Sequence, residues 1–185
     1  LSARLKRMGY RPKPKRRTYV PKPGSEKGRP LGISSFEDKI VELAAKRVLE
    51  PLFESLFDDC SYGYRPRRNP HHCLDAVGRT IQQKRVNVVV EADIRGFFDH
   101  VNHEWLLKFL QQRIKDRRVL RLIVRMLKAG VMEDGLTQVG EEGTPQGSII
   151  SPLLSNIYLD PLDHQMSEEG FKMVRYADDF VILCR

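Results

Sequence analysis

The stretch RYADDFVIL, residues 175–183, places two adjacent aspartates, Asp178 and Asp179, inside an apolar segment. The flanking arms KMVRYA and FVILC are typical of strands, so the sequence predicts a tight hairpin with the two acids at its tip. Burying even one unpaired carboxylate costs much free energy. The pair therefore requires either an exposed surface turn or a cation that compensates for its charge. Taken alone, an Asp-Asp pair favours the surface turn, and only further motifs change that balance.

A second predicted strand also ends in acidic residues. The β-branched run NVVVEADI, residues 87–94, carries Glu91 and Asp93 on one face because side chains alternate along a strand. A fold that brings the end of this strand beside the hairpin tip would cluster Asp93 with at least Asp178. Mg²⁺ prefers a few carboxylate oxygens together with substrate phosphates, and it would turn the repulsion into ligation. The pattern therefore predicts a divalent-metal site suited to in-line displacement at a phosphate.

Basic residues are concentrated at the start of the chain. Residues 1–30 hold eleven Lys and Arg against the single acid Glu26, whereas the remaining 155 residues hold 21 basic and 23 acidic residues. A local positive block favours a polyanionic partner, and nucleic acid is the leading candidate. A solubilising disordered tail is the alternative for residues 1–17.

Cysteine usage and hydropathy exclude several protein classes. The three cysteines are odd in number and lack CxxC spacing, which disfavours a disulfide framework or a zinc site and favours a reducing compartment. No apolar run approaches the length of a membrane span, and no signal-peptide pattern is present. We therefore expect a cytoplasmic protein, associated with nucleic acid and without a membrane partner. Because the sequence stops in mid-strand, we also expect it to be part of a longer protein.

The remaining segments alternate between helical and strand patterns, which predicts an α+β fold. RRTYVP and GRPLGIS are typical hairpin arms around the turn KPGSEK, and GVMEDGLTQVGEEG is typical of a hairpin that turns at EDG. Ser35 is a natural N-cap for a helix that Pro51 should kink or end. A further helix is predicted over residues 71–84, and another begins at Ser151 and Pro152.

Several motifs, in order along the chain, resemble those of one family. YADD between hydrophobic arms resembles the catalytic hairpin of reverse transcriptases, EADIRGFFDHVNHEWL resembles their first catalytic aspartate motif, and GTPQGSIISPLLSNIYLDPLD resembles their conserved loop and helix. KGRPLGISSFEDKIVELAAKRVLEPLFE and SYGYRPRRNPHHCLDAV are similar to the fingers blocks of group II intron-encoded reverse transcriptases, also called maturases. Tyr64 stands where that family often has Phe. The resemblance runs from about Tyr19 to the end, and the Q-G-x-x-x-S-P pattern of residues 146–152 favours the group II intron branch.

The resemblance implies a right-hand polymerase architecture. An N-terminal basic segment and helix-rich fingers would occupy residues 1–86. A palm, with an antiparallel sheet packed on helices, would occupy residues 87–185 and carry a fingers-type hairpin near 131–147. The sequence would stop after the catalytic hairpin, so the thumb would be absent.

The resemblance also implies a two-metal site. Asp93 and Asp178 would ligate two Mg²⁺ ions, for which Mn²⁺ can substitute. Asp179 would be a lesser or indirect ligand, and the carbonyl of Ile94 would join the nucleotide-side metal.

Further positions match the family's nucleotide-binding residues. Phe98, five residues after Asp93, would be a steric gate, because an aromatic ring against C2′ of the sugar leaves no room for a 2′-hydroxyl; a core Phe is the alternative. Gln146 would contact the sugar of the incoming nucleotide, and Gly143 and Gly147 would let the backbone approach the substrate closely.

Cations of the fingers would grip the triphosphate. Arg29 would bind phosphate in a bidentate manner and Lys22 would supply a point charge from the opposite hairpin arm. Lys27 competes for the second role. The candidates for nucleic-acid contacts are Arg16, Arg17 and Arg65.

The activity that the resemblance implies is an RNA-directed DNA polymerase of group II intron type, in a cytoplasm of bacterial type. Its partners would be an RNA template, a DNA primer and deoxynucleoside triphosphates. A maturase that binds intron RNA and aids splicing is the second interpretation, although intact acidic motifs favour retained polymerase capacity. A CRISPR-associated reverse transcriptase shares these motifs and stays open. Without a thumb, we expect residues 1–185 alone to polymerise poorly or not at all, and the sequence does not indicate an oligomeric state.

Overall fold

A computed structural model describes residues 1–22, 25–140 and 142–185, apart from the side chains of residues 22 and 25–27. Helices and strands alternate, which confirms the α+β class. The helices are α1 (Ser2–Lys6), α2 (Phe36–Glu54), α3 (Pro70–Gln83), α4 (His103–Arg113), α5 (Arg117–Leu127) and α6 (Ser151–Glu168). The strands are β1 (Lys15–Lys22), β2 (Ser25–Ile33), β3 (Val88–Asp93), β4 (Val131–Glu133), β5 (Leu136–Gln138), β6 (Lys172–Tyr176) and β7 (Asp179–Cys184). Within the described ranges, no helix has both the length and the apolar character needed to cross a membrane.

Two compact units interleave along the chain. The first comprises residues 1–48 and 98–151, and the second comprises residues 49–97 and 152–185. The sequence-based division into fingers and palm has a single boundary, between residues 86 and 87. The two interleaved units do not test that boundary, so the limits of fingers and palm stay a prediction.

The first unit contains a sheet with the strand order β2-β1-β4-β5. β1 and β2 form the predicted hairpin, with Arg16 opposite Ile33 and Val20 opposite Arg29. Residues 23 and 24 of its predicted turn lie outside the described residues. β4 joins β1 in parallel, and the β4–β5 hairpin turns at Asp134 and Gly135. Both turn residues have positive φ, 49° and 80°, as a type I′ turn requires, which confirms the predicted EDG turn.

Helices of the first unit supply its apolar core. The amide of Asp38 donates to the hydroxyl of Ser35 at 3.3 Å, which confirms Ser35 as the N-cap of α2. Buried apolar side chains come from α2, α4, α5 and the segments before α4 and α6, namely Val41, Val101, Leu106, Leu110, Ile123, Met126, Leu127 and Ile150. One charged pair, Lys15 with Glu42, is buried among them at 2.6 Å.

The second unit contains an antiparallel sheet with the order β3-β7-β6. α2 continues through Pro51 as far as Glu54, and α3 begins at Pro70 with Asn69 as its N-cap. The buried apolar side chains of this unit include Phe53, Phe57, Leu154, Ile157, Met173, Val174 and Leu183. The β6–β7 hairpin, which carries Asp178 and Asp179, is part of this sheet, and α6 belongs to the same unit.

Candidate active site

The end of β3 lies beside the start of β7. In their antiparallel register Asp93 is directly opposite Asp179, and Ala92 is opposite Phe180. Directly opposed residues have Cβ atoms about 4.5–5.5 Å apart and share one face of the sheet. Asp178 occupies the two-residue turn between β6 and β7, where Tyr176 pairs with Asp179. The second unit thus brings all three acids together at one end of its sheet.

The three acids share an electrostatic environment. Burial raises the pKa of the half-buried Asp178, the carboxylates of Asp179 and Asp93 raise it further, and the charge of Arg175 partly opposes the rise. Asp93 and Asp179 are exposed. Ionising the cluster therefore has an electrostatic cost, which a bound cation would relieve.

The donor set fits a hard divalent cation. The carbonyl of Ile94 accepts a hydrogen bond from the amide of Phe97 at 3.1 Å, which leaves its second lone pair for another partner. Among the described residues, no group of three or more His, Cys, Asp and Glu side chains is arranged to hold a metal ion by itself. Mg²⁺ commonly binds through one or two carboxylates and completes its shell with water and substrate phosphates. The cluster therefore suits an ion that a phosphate-bearing ligand helps to hold.

The sequence reasoning missed the side chains beneath the acidic turn. Arg175 is fully buried and donates to Asp163, Asn156 and the carbonyl of Ala177. The signal was present as an arginine inside the apolar arm KMVRYA, which we interpreted only as a strand. A charge at a buried strand position is expected only with a partner, and the partner lies on a helix that is distant in sequence.

In the first unit, Phe98 and Gln146 line a common cleft of about 290 Å³. Arg17 and Thr144 also line it. Both Phe98 and Gln146 are half-buried, so each keeps an accessible surface. The structure thus brings together two of the residues predicted to contact the nucleotide, together with one predicted nucleic-acid contact.

The loop at 143–147 is held by backbone contacts. Gly143 has φ +85°, and a Cβ there would lie 2.8 Å from the carbonyl oxygen of Asp99. The amide of Thr144 donates to the carbonyl of Phe98 at 2.6 Å, and the amide of Gly32 donates to the carbonyl of Gln146 at 2.7 Å. We predicted that Gly143 admits substrate, but its close neighbour is this chain's own backbone.

The predicted phosphate-gripping cations lie on the β1–β2 hairpin. Arg29 is exposed on β2. Lys22 ends β1, as the predicted opposite arm requires, but its side chain lies outside the described residues, as does that of Lys27. Arg16 is exposed, whereas Arg17 is half-buried with its Nε 3.8 Å from a carboxylate oxygen of Glu133.

Arg65, a predicted nucleic-acid contact, is held by partners within the second unit. Its side chain is buried and donates to Glu54 at 3.0 Å and to the carbonyls of Asp58 and Ser61 at 2.6 and 3.0 Å. Its guanidinium also stacks 5.3 Å from the centre of the Phe57 ring. These contacts use four of the five guanidinium donors within this part of the chain, and the predicted contact of Arg65 with nucleic acid stays a prediction.

Comparisons with known proteins agree with the geometry. Residues 20–185 match the reverse transcriptase (RNA-dependent DNA polymerase) family. The chain is 43% identical over 175 residues to the group II intron-encoded protein LtrA of Lactococcus lactis subsp. cremoris, a match covering 95% of this chain and 29% of LtrA. It is 38% identical over 95 residues to nuclear intron maturase 1, mitochondrial, of Arabidopsis thaliana, covering 50% of this chain and 13% of that protein.

Solved structures extend the likeness to the fold. A chain of a partial Cas6-RT-Cas1–Cas2 complex is similar with a TM-score of 0.61 and 29% identity, covering 98% of this chain and 31% of that one. The chain thus spans less than a third of LtrA and of the chain in that complex. It belongs to the reverse transcriptase family, with group II intron-encoded proteins among its relatives.

Proposed function

We propose that this chain is the fingers and palm part of an RNA-directed DNA polymerase of group II intron type. The observation that carries the proposal is the pairing of Asp93 with Asp179 beside Asp178, at one end of the β3-β7-β6 sheet, in a member of the reverse transcriptase family. The higher identity to LtrA than to the chain of the Cas complex favours the group II intron branch over a CRISPR-associated one.

The acidic cluster would serve as the metal-binding end of the polymerase. Asp93 and Asp178 would provide carboxylate oxygens, the carbonyl of Ile94 a further ligand, and Asp179 a weaker contribution from opposite Asp93. Two Mg²⁺ ions bound there would activate the primer 3′-hydroxyl and stabilise the leaving pyrophosphate. In this role the protein would hold these oxygens at fixed positions and would keep the like charges adjacent before the ions bind.

The first unit would supply contacts to the nucleotide. Phe98 would limit space at C2′ of the sugar, Gln146 and Gly147 would contact the nucleotide, and Arg29 with Lys22 would bind the triphosphate. The shared cleft of Phe98 and Gln146 and the exposure of Arg29 support these roles. Exposed Arg16 and the half-buried Arg17 would contact the template or primer backbone.

The test compares Asp178→Asn and Asp93→Asn with Asp75→Asn, which removes an exposed acid from α3 in the same unit. Mn²⁺ binding to residues 1–185 is followed by electron paramagnetic resonance. Extension of a DNA primer on an RNA template is measured in a protein that carries residues 1–185 together with any downstream segments of the same reading frame. We expect the first two variants to lose Mn²⁺ affinity at least about tenfold and to lose extension, because they remove metal ligands. Retention of both properties by Asp178→Asn would reject the metal site.

A maturase is the second candidate, supported by the identity to an intron maturase and by the basic segment at residues 1–30. This function requires RNA binding but no metal cluster. Asp178→Asn should then bind intron RNA as the wild type does, with an affinity that falls steeply with salt. RNA binding that is insensitive to salt would argue against a role for the basic segment.

A further inference from the structure

Arg175 is the largest fully buried side chain of the second unit, and each of its N–H donors has an acceptor. Nε donates to Asp163 at 2.7 Å, and Nη2 donates to the other oxygen of the same carboxylate and to the hydroxyl of Ser61 at 2.8 Å. Nη1 donates to the amide oxygen of Asn156 at 3.1 Å and to the carbonyl of Ala177 at 2.7 Å. These contacts satisfy all five donors of a guanidinium.

The partners of Arg175 come from three separate segments. Asp163, also fully buried, and Asn156 lie on α6, whereas Ser61 lies in the loop before α3. The loop is also tied to the backbone of β6, since the amide of Arg175 donates to Cys60 and the amide of Tyr62 donates to Arg175, both at 2.8 Å. Arg175 therefore joins helix, loop and strand at the base of the acidic turn.

The turn itself needs external support. Ala177, the residue before Asp178, has φ +62°, a conformation that costs a residue with a Cβ about 1–2 kcal/mol. Such conformations persist only where the surroundings enforce them. The surroundings here include the Arg175 bond to the Ala177 carbonyl, which is the peptide group that leads into Asp178.

Gly63 supports the turn from the loop side. A Cβ at Gly63 would lie 2.3 Å from the amide nitrogen of Ala177, so the two backbones touch. The side-chain amide of Asn156 donates to the carbonyl of Gly63 at 2.8 Å. Asn156 thus holds both Gly63 and Arg175, and both of these contact Ala177.

We propose that Arg175 is a positioning residue that sets the orientation of Asp178 by holding the Ala177 carbonyl, with Asp163, Asn156 and Gly63 as its support. The proposal rests on the metal-binding role of Asp178. This role gives a reason for the buried Arg175–Asp163 ion pair. Stability alone does not require such a pair, because replacing one with apolar residues often leaves stability unchanged or improved. The fork geometry is essential, since lysine has the charge but cannot donate to the carboxylate and to the carbonyl in one plane.

The decisive variants are Arg175→Lys, which keeps the charge, and Gly63→Ala, which pushes on the turn and leaves Arg175 in place. Leu154→Ala is the matched control, because Leu154 is fully buried on the same helix as Asp163 and Asn156 and makes none of these hydrogen bonds. All are compared at a temperature where circular dichroism shows each of them folded. Mn²⁺ affinity is measured by electron paramagnetic resonance, and amide hydrogen exchange is followed in the segment 176–180.

We expect Arg175→Lys and Gly63→Ala to weaken Mn²⁺ binding by about 10–100-fold, the usual effect of losing a group that orients a metal ligand. Exchange in segment 176–180 should accelerate in both variants. Leu154→Ala should lower the melting temperature and leave both readouts at their wild-type values.

The outcomes separate this proposal from the proposed function. If Asp178→Asn abolishes Mn²⁺ binding while Arg175→Lys behaves like Leu154→Ala, the network only stabilises the fold and the positioning role is overturned. If Asp178→Asn binds Mn²⁺ as the wild type does, the metal site fails, and the positioning role fails with it. Unchanged exchange in segment 176–180 of Arg175→Lys would refute the contact between Arg175 and the turn directly.

Discussion

The burial of the ion pair between Lys15 and Glu42 in the first unit can be tested by measuring the coupling energy of the two side chains. The ammonium of Lys15 lies 2.6 Å from Glu42, and each side chain is only 3% exposed. Glu42 also accepts hydrogen bonds from the hydroxyl of Ser34 and the amide of Ile149, each at 2.9 Å. The carboxylate therefore links β1 and α2 to the segment that follows Gly147.

The perturbations are Lys15→Met, Glu42→Gln and the double variant. Lys15→Met keeps most of the side-chain length but leaves a buried carboxylate without its counter-charge, which should cost about 3–5 kcal/mol of the free energy of unfolding. Glu42→Gln leaves the ammonium unpaired, and because Ser34 and Ile149 donate to different oxygens of the carboxylate, the single amide oxygen can accept from only one of them. We therefore expect a loss at least as large. The double variant leaves neither charge buried, and its loss should fall short of the sum of the single losses by about 2–3 kcal/mol.

Urea unfolding at pH 7 measures these free energies, provided that the slope with urea is the same for all variants. The matched control is the Arg4–Glu37 pair, whose side chains are 53% and 35% exposed. Its coupling should stay below about 1 kcal/mol, as for other solvated pairs. If the Lys15–Glu42 coupling is no larger than this, the two charges are solvated and the burial argument is refuted.

Further predictions concern pH, substrate choice and one glycine. Burial raises the pKa of Asp160 to about 6, so the folded protein binds this proton more tightly than the unfolded chain does. The contribution of Asp160 to stability should therefore fall as the pH rises from about 4 to 6, by about 1–2 kcal/mol because the group is only half-buried and solvent screens it. Asp160→Asn should remove this contribution to the pH dependence of the free energy of unfolding, measured with urea at several pH values. An unchanged pH dependence in the variant would contradict the prediction. Phe98→Val should raise ribonucleotide relative to deoxyribonucleotide incorporation in primer extension, and unchanged discrimination would remove the gate role. Gly143→Ala should lower the melting temperature more than Gly135→Ala, because both have positive φ but a Cβ at Gly135 meets nothing within 4 Å; equal losses would show that backbone strain alone matters.

Local patterns carried much of the fold. The EDG turn at Asp134 and Gly135 and the N-cap at Ser35 follow from interactions within a few residues, and these predictions are confirmed. Pro51 was expected to kink or end α2, and the helix does not end there but runs on to Glu54, so only the alternative of a kink stays open. Local propensity is a weak prior where tertiary packing holds a helix in place.

The acidic site could be predicted only in part from the sequence, and the tertiary structure supplied the rest. The sequence alone identified the three acids, because adjacent carboxylates among apolar residues need a special explanation wherever they lie. It also predicted the hairpin that carries Asp178 and Asp179 at its tip, but it could not tell that Asp93 faces Asp179, since the register of β3 on β7 is set by contacts between segments about 90 residues apart.

The two arginines show the same division most clearly. Arg65 was predicted to contact nucleic acid and Arg175 was given no role, yet both side chains are buried. The sequence by itself determined the family motifs, the hairpins and the charged residue types, because these depend on neighbours along the chain. Only the tertiary structure decided which guanidiniums are used internally, because burying an arginine requires acceptors that come from distant segments, such as Asp163 and Ser61 for Arg175.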